Sequence, residues 1–336
     1  MAFLTIASVR TMTWPVTAMA MPDCRCDLKW GDAVNTLNHA KAPLAWIGLG
    51  AMGLPMCGRL LSAGYAVNAY DPDTQALARA VSRGASSAVS LADAVTSASV
   101  VVSSIPGDQV LKSITLGEAG IFEYVGKGAT FIDTSTVSPS ASEEVAQGAK
   151  ARGIYYVRCA VSGTGVTAES GALTLMVSGP REAYERHKPI LDQLGTKQFY
   201  LGQGEEARLM KLVVNLLIAV SAGALAEALV LGEKAGLDWQ AMLDVIESSA
   251  AASPMYKFKM PLLRARDYRP QATTDVVAKD LSLILQEGLA HHMPLPLAAQ
   301  TMQLYSSMIA RGRGQQDYIS TVPYMEELGG IAGAAR

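Results

Sequence analysis

The sequence predicts an α/β protein in which a doubly wound sheet is joined by one long helix to an all-helical second half. Three observations predict it. A short apolar strand, Leu44-Ala45-Trp46-Ile47, breaks at Gly48-Leu49-Gly50-Ala51-Met52-Gly53 and continues as a helix to Ser62. Short apolar strands and helical segments then alternate as far as Gly204, the pattern of a parallel sheet covered on both faces. Beyond Gly204 the strands stop, and a long helical pattern runs from about Glu206 to Ala235.

Taken in order, residues 1–41 precede the pattern. They mix Thr, Met, Trp14-Pro15 and a polar run to Lys41 without sustained periodicity, and read as a poorly ordered extension. Ala18-Met19-Ala20 has the form of a signal-peptidase site, but Arg10 interrupts the apolar stretch, and one arginine is too few for an organellar leader. Gly64 ends the first helix, and a strand from Tyr65 to Tyr70 closes at Asp71-Pro72. Further strands are expected at Ser99–Ile105, Thr130–Ile132, Tyr155–Val161 and Leu173–Val177. The change of pattern divides the chain into residues 42–205, a sheet domain, and residues 206–330, an all-helical domain. Leu212 to Gly232 is apolar except for Asn215, Ser221 and Glu227. A carboxylate is costly in lipid, so this stretch reads as a core helix and not as a membrane span.

Bulk composition agrees. The chain has 336 residues, half of them hydrophobic and 17% charged, which suits two domains with large cores and excludes a disordered or fibrous class. A net charge of −2 gives no surface for nucleic acid. An anionic cofactor can still bind, because glycine-rich backbone offers amide donors without net positive charge. Cys24 and Cys26 are too close-set for structural zinc, and with Cys57 and Cys159 they read as reduced thiols of a cytoplasmic protein, with no metal.

A glycine triplet alone carries little weight. Here it follows a strand, opens a helix, and precedes a second strand ending in an acid, Asp71, 18 residues beyond Gly53. Gly48 permits the tight turn, Gly50 lets backbone approach a pyrophosphate, and Gly53 lets helix and strand pack closely. The helix N-terminus then faces the phosphates with its partial positive charge. This is a Rossmann-type site, with Leu49, Ala51 and Met52 in the same loop. Asp71 can accept from the adenosine ribose hydroxyls and would repel a 2′-phosphate. The nearest following arginines are only Arg79 and Arg83, so NAD is expected over NADP, with NADP use possible.

Four motifs in order then make the chain resemble the β-hydroxyacid dehydrogenases, the family of 3-hydroxyisobutyrate dehydrogenase and tartronate semialdehyde reductase. They are Ile47 to Met56, Asp133-Thr134-Ser135-Thr136 with Pro139, Val161-Ser162-Gly163 with Gly171-Ala172-Leu173-Thr174, and Gly202-x-Gly204 leading to Lys211-x-x-x-Asn215, backed by Lys279-Asp280-Leu281. The resemblance spans Leu44 to about Ser320. It implies that Ile105, Pro106, Val110 and Thr136 line the cofactor, and that Lys279 reaches its nicotinamide side. It implies that Ser162, Gly163 and Thr164 cradle a small hydroxy acid or semialdehyde, and that the enzyme is a homodimer or homotetramer. Read without the family, Ser135-Thr136 could cap the helix near Pro139, and Lys279-Asp280 could be a solvated pair.

Three positions depart from the family pattern. Arg158 replaces an acid, Thr164 a glycine, and Glu206 the last glycine before the lysine helix. Arg158 is expected either to point into the site and bind an anionic substrate or to face solvent.

Hydride transfer from an alcohol carbon needs a group to take the hydroxyl proton. None of His39, His187, His291 and His292 sits in a site motif. Lys211 lies near the start of the long helix, where sheet hands over to helices, and Asn215 follows four residues on, on the same face. Burial near a cation such as Lys279 would lower the lysine's pKa toward neutrality. A lysine that only snorkels to solvent is the bland alternative. Two other functions fit the architecture. Imine reductases share it but commonly lack this lysine, and a non-catalytic dinucleotide-binding protein would have no need of Lys211 and Asn215.

Overall fold

The computed structural model describes residues 43–331, so the expected N-terminal extension, with Cys24 and Cys26, lies outside the described residues. β1 (Leu44–Ile47), buried at all four positions, leads through the glycine loop into α1 (Gly53–Ser62). β2 (Val67–Tyr70), α2 (Thr74–Ser82), β3 (Ser86–Ser87), α3 (Leu91–Val95) and β4 (Val100–Ser103) follow. The sheet region continues with α4 (Asp108–Leu116), α5 (Ile121–Tyr124), β5 (Thr130–Asp133), α6 (Pro139–Ala151) and β6 (Tyr155–Ser162). It ends with α7 (Gly165–Glu169), β7 (Thr174–Ser178), α8 (Arg181–Leu194) and β8 (Lys197–Gly202).

These strands form one sheet in the order β3-β2-β1-β4-β5-β6-β7-β8. Every neighbouring pair is parallel except β6 and β7, which run antiparallel with Arg158 opposite Ser178 and Ser162 opposite Thr174. The sheet is therefore mostly parallel, as expected, with one antiparallel pair toward its far edge. The link between these two strands holds only the five-residue α7. A parallel return needs a crossover of a dozen or more residues, usually with a full helix.

β3 and β8 escape sequence reading for a related reason. β3 is two exposed serines, and β8 alternates between exposed and half-buried positions at the sheet edge, so neither has an apolar run. Elsewhere the strand bounds differ slightly from expectation: Tyr65 precedes β2, Ser99 and Ile105 flank β4, β5 and β6 extend to Asp133 and Ser162, and β7 is shifted to begin after Leu173.

One apolar core, with Trp46, Met56, Leu60, Leu175 and Leu191, and another, with Ile47, Val101, Ile121, Phe131 and Tyr156, are built from the sheet and its helices. A third, with Leu225, Leu229, Leu243, Leu281, Ile284, Tyr305 and Tyr324, belongs to the helices beyond the sheet. These are α9 (Glu206–Lys234), α10 (Trp239–Ser248), α11 (Pro254–Ala265), α12 (Thr274–Ala290), α13 (Pro296–Ala310) and α14 (Thr321–Leu328). α9 is long and apolar enough to cross a membrane by length and composition alone. It buries Leu212, Ala222, Leu225 and Leu229 and leaves Val213, Leu217 and Leu231 exposed. Ala207 in its first turn packs with Ala160 of β6 and Met176 of β7, so the helix begins on the sheet and ends among the other helices.

Candidate active site

The sheet order reverses at β1, with β2 on one side and β4 on the other. In an open α/β sheet the crevice beyond the carboxyl ends of those strands is where ligands enter. Gly48 stands there with φ +90°, and a Cβ on it would lie 2.2 Å from the Ser104 carbonyl oxygen. A Cβ on Gly53 would lie 2.1 Å from the Gly48 oxygen, so helix and strand meet at this point. A Cβ on Gly50 would meet nothing within 4 Å. Packing therefore forces the outer two glycines, while the middle one leaves bare backbone beside open space, which suits a phosphate group.

Asp71 clasps this loop from the end of β2. Its Oδ2 accepts from the Leu49 amide at 2.6 Å and its Oδ1 from the Asp73 amide at 2.8 Å. Capping of α2 falls to Asp73, which accepts from Gln75. Across the crevice the Ile105 amide donates to Ser135 Oγ at 2.9 Å, Pro106 follows, and Val110 lies exposed on α4. Gly165, at the start of α7, comes close to the Ala51 carbonyl. The loops after β1, β4, β5 and β6 thus gather along one edge.

The loop after β5 is organised by Asp133, whose Oδ1 accepts from Ser103 Oγ at 2.7 Å and from Ser135 Oγ. Ser135 and Thr136 do not cap α6; Ser138 does, accepting from the Ala141 amide at 3.1 Å. Asp108 in turn holds the Ser138 amide at 2.9 Å and its hydroxyl at 2.6 Å.

Lys211 sits in the second turn of α9, half-buried, with no hydrogen bond or ion pair among the described residues. Burial pushes its ammonium pKa below the usual lysine value; Asp280 opposes the shift and Lys279 adds to it. Asn215, one turn on, donates to Asp280 Oδ2 at 2.5 Å. Lys279 lies 2.9 Å from Asp280 Oδ1 and donates to the Thr136 carbonyl at 2.8 Å. Asp280 is only 6% exposed, so Lys279-Asp280 is not a solvated helix pair. It ties α12 to the loop after β5.

Ser162 closes β6 and Gly163 follows at φ +146°. A Cβ on Gly163 would strike Thr167 Oγ1 at 2.3 Å, and the Thr164 amide donates to that same hydroxyl at 2.7 Å. Among the described residues no hydrogen bond joins this loop to Lys211 or Asn215.

Arg158 takes neither of the two expected orientations. Its guanidinium is buried, 4.6 Å above the Tyr156 ring, and pairs with Glu205, the residue that precedes α9, while Ser142 Oγ lies at 3.4 Å. An acid at position 158 would face Glu205 and repel it, so the arginine and the glutamate fit together. Glu206 folds back to accept from the Gly204 amide at 2.8 Å.

Sequence reasoning missed Arg208. It is 1% exposed and donates to the Ser135 carbonyl at 2.6 Å, to Tyr156 Oη at 2.9 Å and to Asp133 Oδ2. An arginine in the first turn of an otherwise apolar helix was the available signal, since such a cation needs a buried partner. The thiols of Cys57 and Cys159, both pushed up to about 12 by burial, are poor nucleophiles.

Comparison with known proteins agrees with this geometry. Residues 43–202 match the model of the NAD-binding domain of 6-phosphogluconate dehydrogenase, and residues 202–325 match that of the NAD-binding region of NADP-dependent 3-hydroxyisobutyrate dehydrogenase. A 2-(hydroxymethyl)glutarate dehydrogenase of Eubacterium barkeri is 32% identical over 86% of this chain and 96% of its own length. The crystal structure of a 3-hydroxyisobutyrate dehydrogenase from Salmonella typhimurium superposes with a TM-score of 0.77 at 27% identity, covering 84% of this chain and 99% of that one. An imine reductase from a Pseudomonas species is more distant, at 21% identity and a TM-score of 0.56 over 85% of this chain and 99% of its own, and shares the fold alone. With the glycine crevice at the sheet's switch point and a helical region following it, the chain belongs to the β-hydroxyacid dehydrogenase family of NAD(P)-dependent oxidoreductases.

Proposed function

We propose that the chain transfers a hydride between the nicotinamide of NAD and the hydroxyl-bearing carbon of a small 3-hydroxy acid, or its semialdehyde in reverse, with Lys211 as general base and acid. The observation that carries this reading is Lys211 itself. It is an amine with a lowered pKa and, among the described residues, no bonded partner, flanked by Asn215, Asp280 and Lys279.

When bound, the nicotinamide supplies the hydride acceptor or donor. The glycine loop, Gly48 to Gly53 with Leu49, Ala51 and Met52, would hold its pyrophosphate at the N-terminus of α1. Asp71 would take the adenosine ribose, and Ile105, Pro106, Val110, Thr136 and Lys279 would line the rest. Ser162, Gly163 and Thr164 would receive the substrate carboxylate, with the Ser162 hydroxyl and the Gly163 amide as donors. Asn215, fixed by Asp280, would orient the hydroxyl whose proton Lys211 takes. Lys211 would return that proton in the reducing direction.

The test is a panel of 3-hydroxy acids and semialdehydes, including 3-hydroxyisobutyrate and 2-(hydroxymethyl)glutarate, assayed with both nicotinamide cofactors. Turnover is expected, with NAD preferred because Asp71 repels a 2′-phosphate; comparable or better kcat/KM with NADP overturns that preference. On the best substrate, Lys211→Ala is expected to fold, to bind NAD and to lose on the order of 10²–10⁴ in kcat. Wild-type turnover in that variant sinks the assignment. Reduction of cyclic imines in place of carbonyl acids would favour the second reading, imine reduction.

Three further parts of the reading have their own supports. Helical substructure with its own core begins at residue 206, which suits a substrate and dimerisation domain over 206–330. The exposed apolar side chains of Val213, Leu217 and Leu231 on α9 suit a homodimer or homotetramer. The buried thiols at Cys57 and Cys159 suit a cytoplasmic enzyme.

A further inference from the structure

The bonds around Lys211 close into a ring. Arg208, one turn before it on α9, is bonded to Asp133 and to the Ser135 carbonyl. The neighbouring Thr136 carbonyl accepts from Lys279, and Lys279 lies 2.9 Å from Asp280 Oδ1. Asp280 Oδ2 then accepts from Asn215, which returns the ring to α9 one turn after Lys211. The ring passes from helix to sheet loop to a second helix and back, and Lys211 lies on the stretch of α9 that it closes. We infer that Arg208 is a positioning residue, which through Asp133 and the Ser135 carbonyl seats the first turns of α9 and the Ser135-Thr136 loop and thereby places the Lys211 amine.

Arg208 suits this work for chemical reasons. Its planar fork reaches three acceptors in fixed directions: the end of β5, the loop after it, and Tyr156 of β6. Asp133 is fully buried and its other oxygen already serves Ser103 and Ser135, so it depends on Arg208 for its counter-charge. A second cation, Arg158, binds Glu205 at the very start of α9, so the helix entrance is pinned on two sides. Neither arginine is among the groups that shift the Lys211 pKa; those are Asp280 and Lys279, with burial first. The action argued for Arg208 is therefore the geometric one, through its bonds to Asp133 and the Ser135 carbonyl.

This inference rests on the role proposed for Lys211, and the experiment separates the two. Arg208→Gln, Arg208→Lys, Asp133→Asn and the Arg208→Gln/Asp133→Asn double variant are assayed on the best substrate of the panel, with Lys211→Ala alongside. Arg208→Gln is expected to lose about 10–100-fold in kcat, with KM for substrate and Kd for NADH within threefold, because a small misplacement of a catalytic group costs that much. The double variant is expected to lose no more than the worse single one, as for two groups acting as a unit. Arg208→Lys, which keeps the charge and loses the fork, is expected to recover only part of the rate. A pulse of acetic anhydride at a series of pH values, read by mass spectrometry at Lys211, needs no substrate. The pH of half-labelling is expected to rise in Arg208→Gln, as a loosened seat lets water reach the amine. Folded Arg208 variants with kcat within twofold of wild type and an unmoved labelling midpoint overturn the inference, as does a loss confined to KM. If Arg208→Gln does not fold, Arg208→Lys decides by the same two readings. If Lys211→Ala keeps its turnover, the proposed function fails instead.

Discussion

Two lysines, one beside the crevice and one in the helical core, are both pushed below the ordinary lysine pKa by burial, and they are held in opposite ways. Lys259 of α11 is 1% exposed, with both oxygens of Asp317 at 2.8 Å, Gln271 Oε1 at 3.3 Å and the Tyr318 ring 4.5 Å away. Asp317 also accepts from the backbone amides of Gln271 and Ile319, so the pair knots the segment between α11 and α12 to the chain before α14. Among the described residues Lys211 has no such clamp. Its nearest charges, Asp280 and Lys279, are occupied with Asn215, Thr136 and each other. A buried lysine whose proton is shared with a dedicated carboxylate is a fastener. One whose counter-charges are otherwise engaged keeps its proton available for exchange, which suits the role proposed for Lys211.

The largest effect that sharpens the contrast is on stability. Lys259→Met leaves Asp317 charged and unpaired in the core, which is expected to destabilise by about 3–5 kcal/mol in urea or thermal unfolding. A loss below about 1 kcal/mol would show that Asp317 finds other partners and that the knot is not a fastener.

A second effect lies in the pH profile of alcohol oxidation, which with Lys211 as the proposed base needs that amine neutral and so falls off on the acid side. Asp280 raises the Lys211 pKa and Lys279 lowers it. Asp280→Asn is therefore expected to move the acid limb of kcat/KM to lower pH, and Lys279→Met to move it to higher pH. Shifts in the same direction would mean that the limb belongs to another group.

How much of this was legible in the sequence follows from what each feature depends on. The glycine loop was readable because its requirements are local: a turn, a bare backbone and a helix start within six residues. The long α9 was readable from its apolar run. Lys211 and Asn215 stood out because one helix face carries both. The contacts that seat them were not readable. Arg208 meets Asp133 across 75 residues and Arg158 meets Glu205 across 47, and both pairings depend on β5 and β6 lying side by side. Arg158 was left between the site and solvent because its partner, Glu205, was unknown. The antiparallel β7 was hidden for a similar reason, since its direction is not written in the strand's own residues.

The smallest effect concerns what Lys211 does to the fold, and its sign decides the comparison. Its pKa is lower in the folded chain than in the unfolded one. Between the depressed value and the ordinary lysine value, about 10.4, the unfolded state binds more protons, so stability rises with pH across that window. Below the window the burden of a buried ammonium is fully present, and above it the burden vanishes. Lys211→Met keeps the aliphatic stem and removes the charge. It is expected to raise Tm by about 1–3 °C near pH 7, with the gain shrinking as pH approaches 10, as is common where a site trades stability for activity. Lys259→Met moves Tm the other way at pH 7, because its ammonium has a partner to lose. Differential scanning calorimetry of both variants at pH 7 and pH 10 checks the pair of signs. A Lys211→Met protein less stable than the parent at pH 7 would mean that its ammonium is held by Asp280 as Lys259 is held by Asp317, and the distinction between the two lysines would not stand.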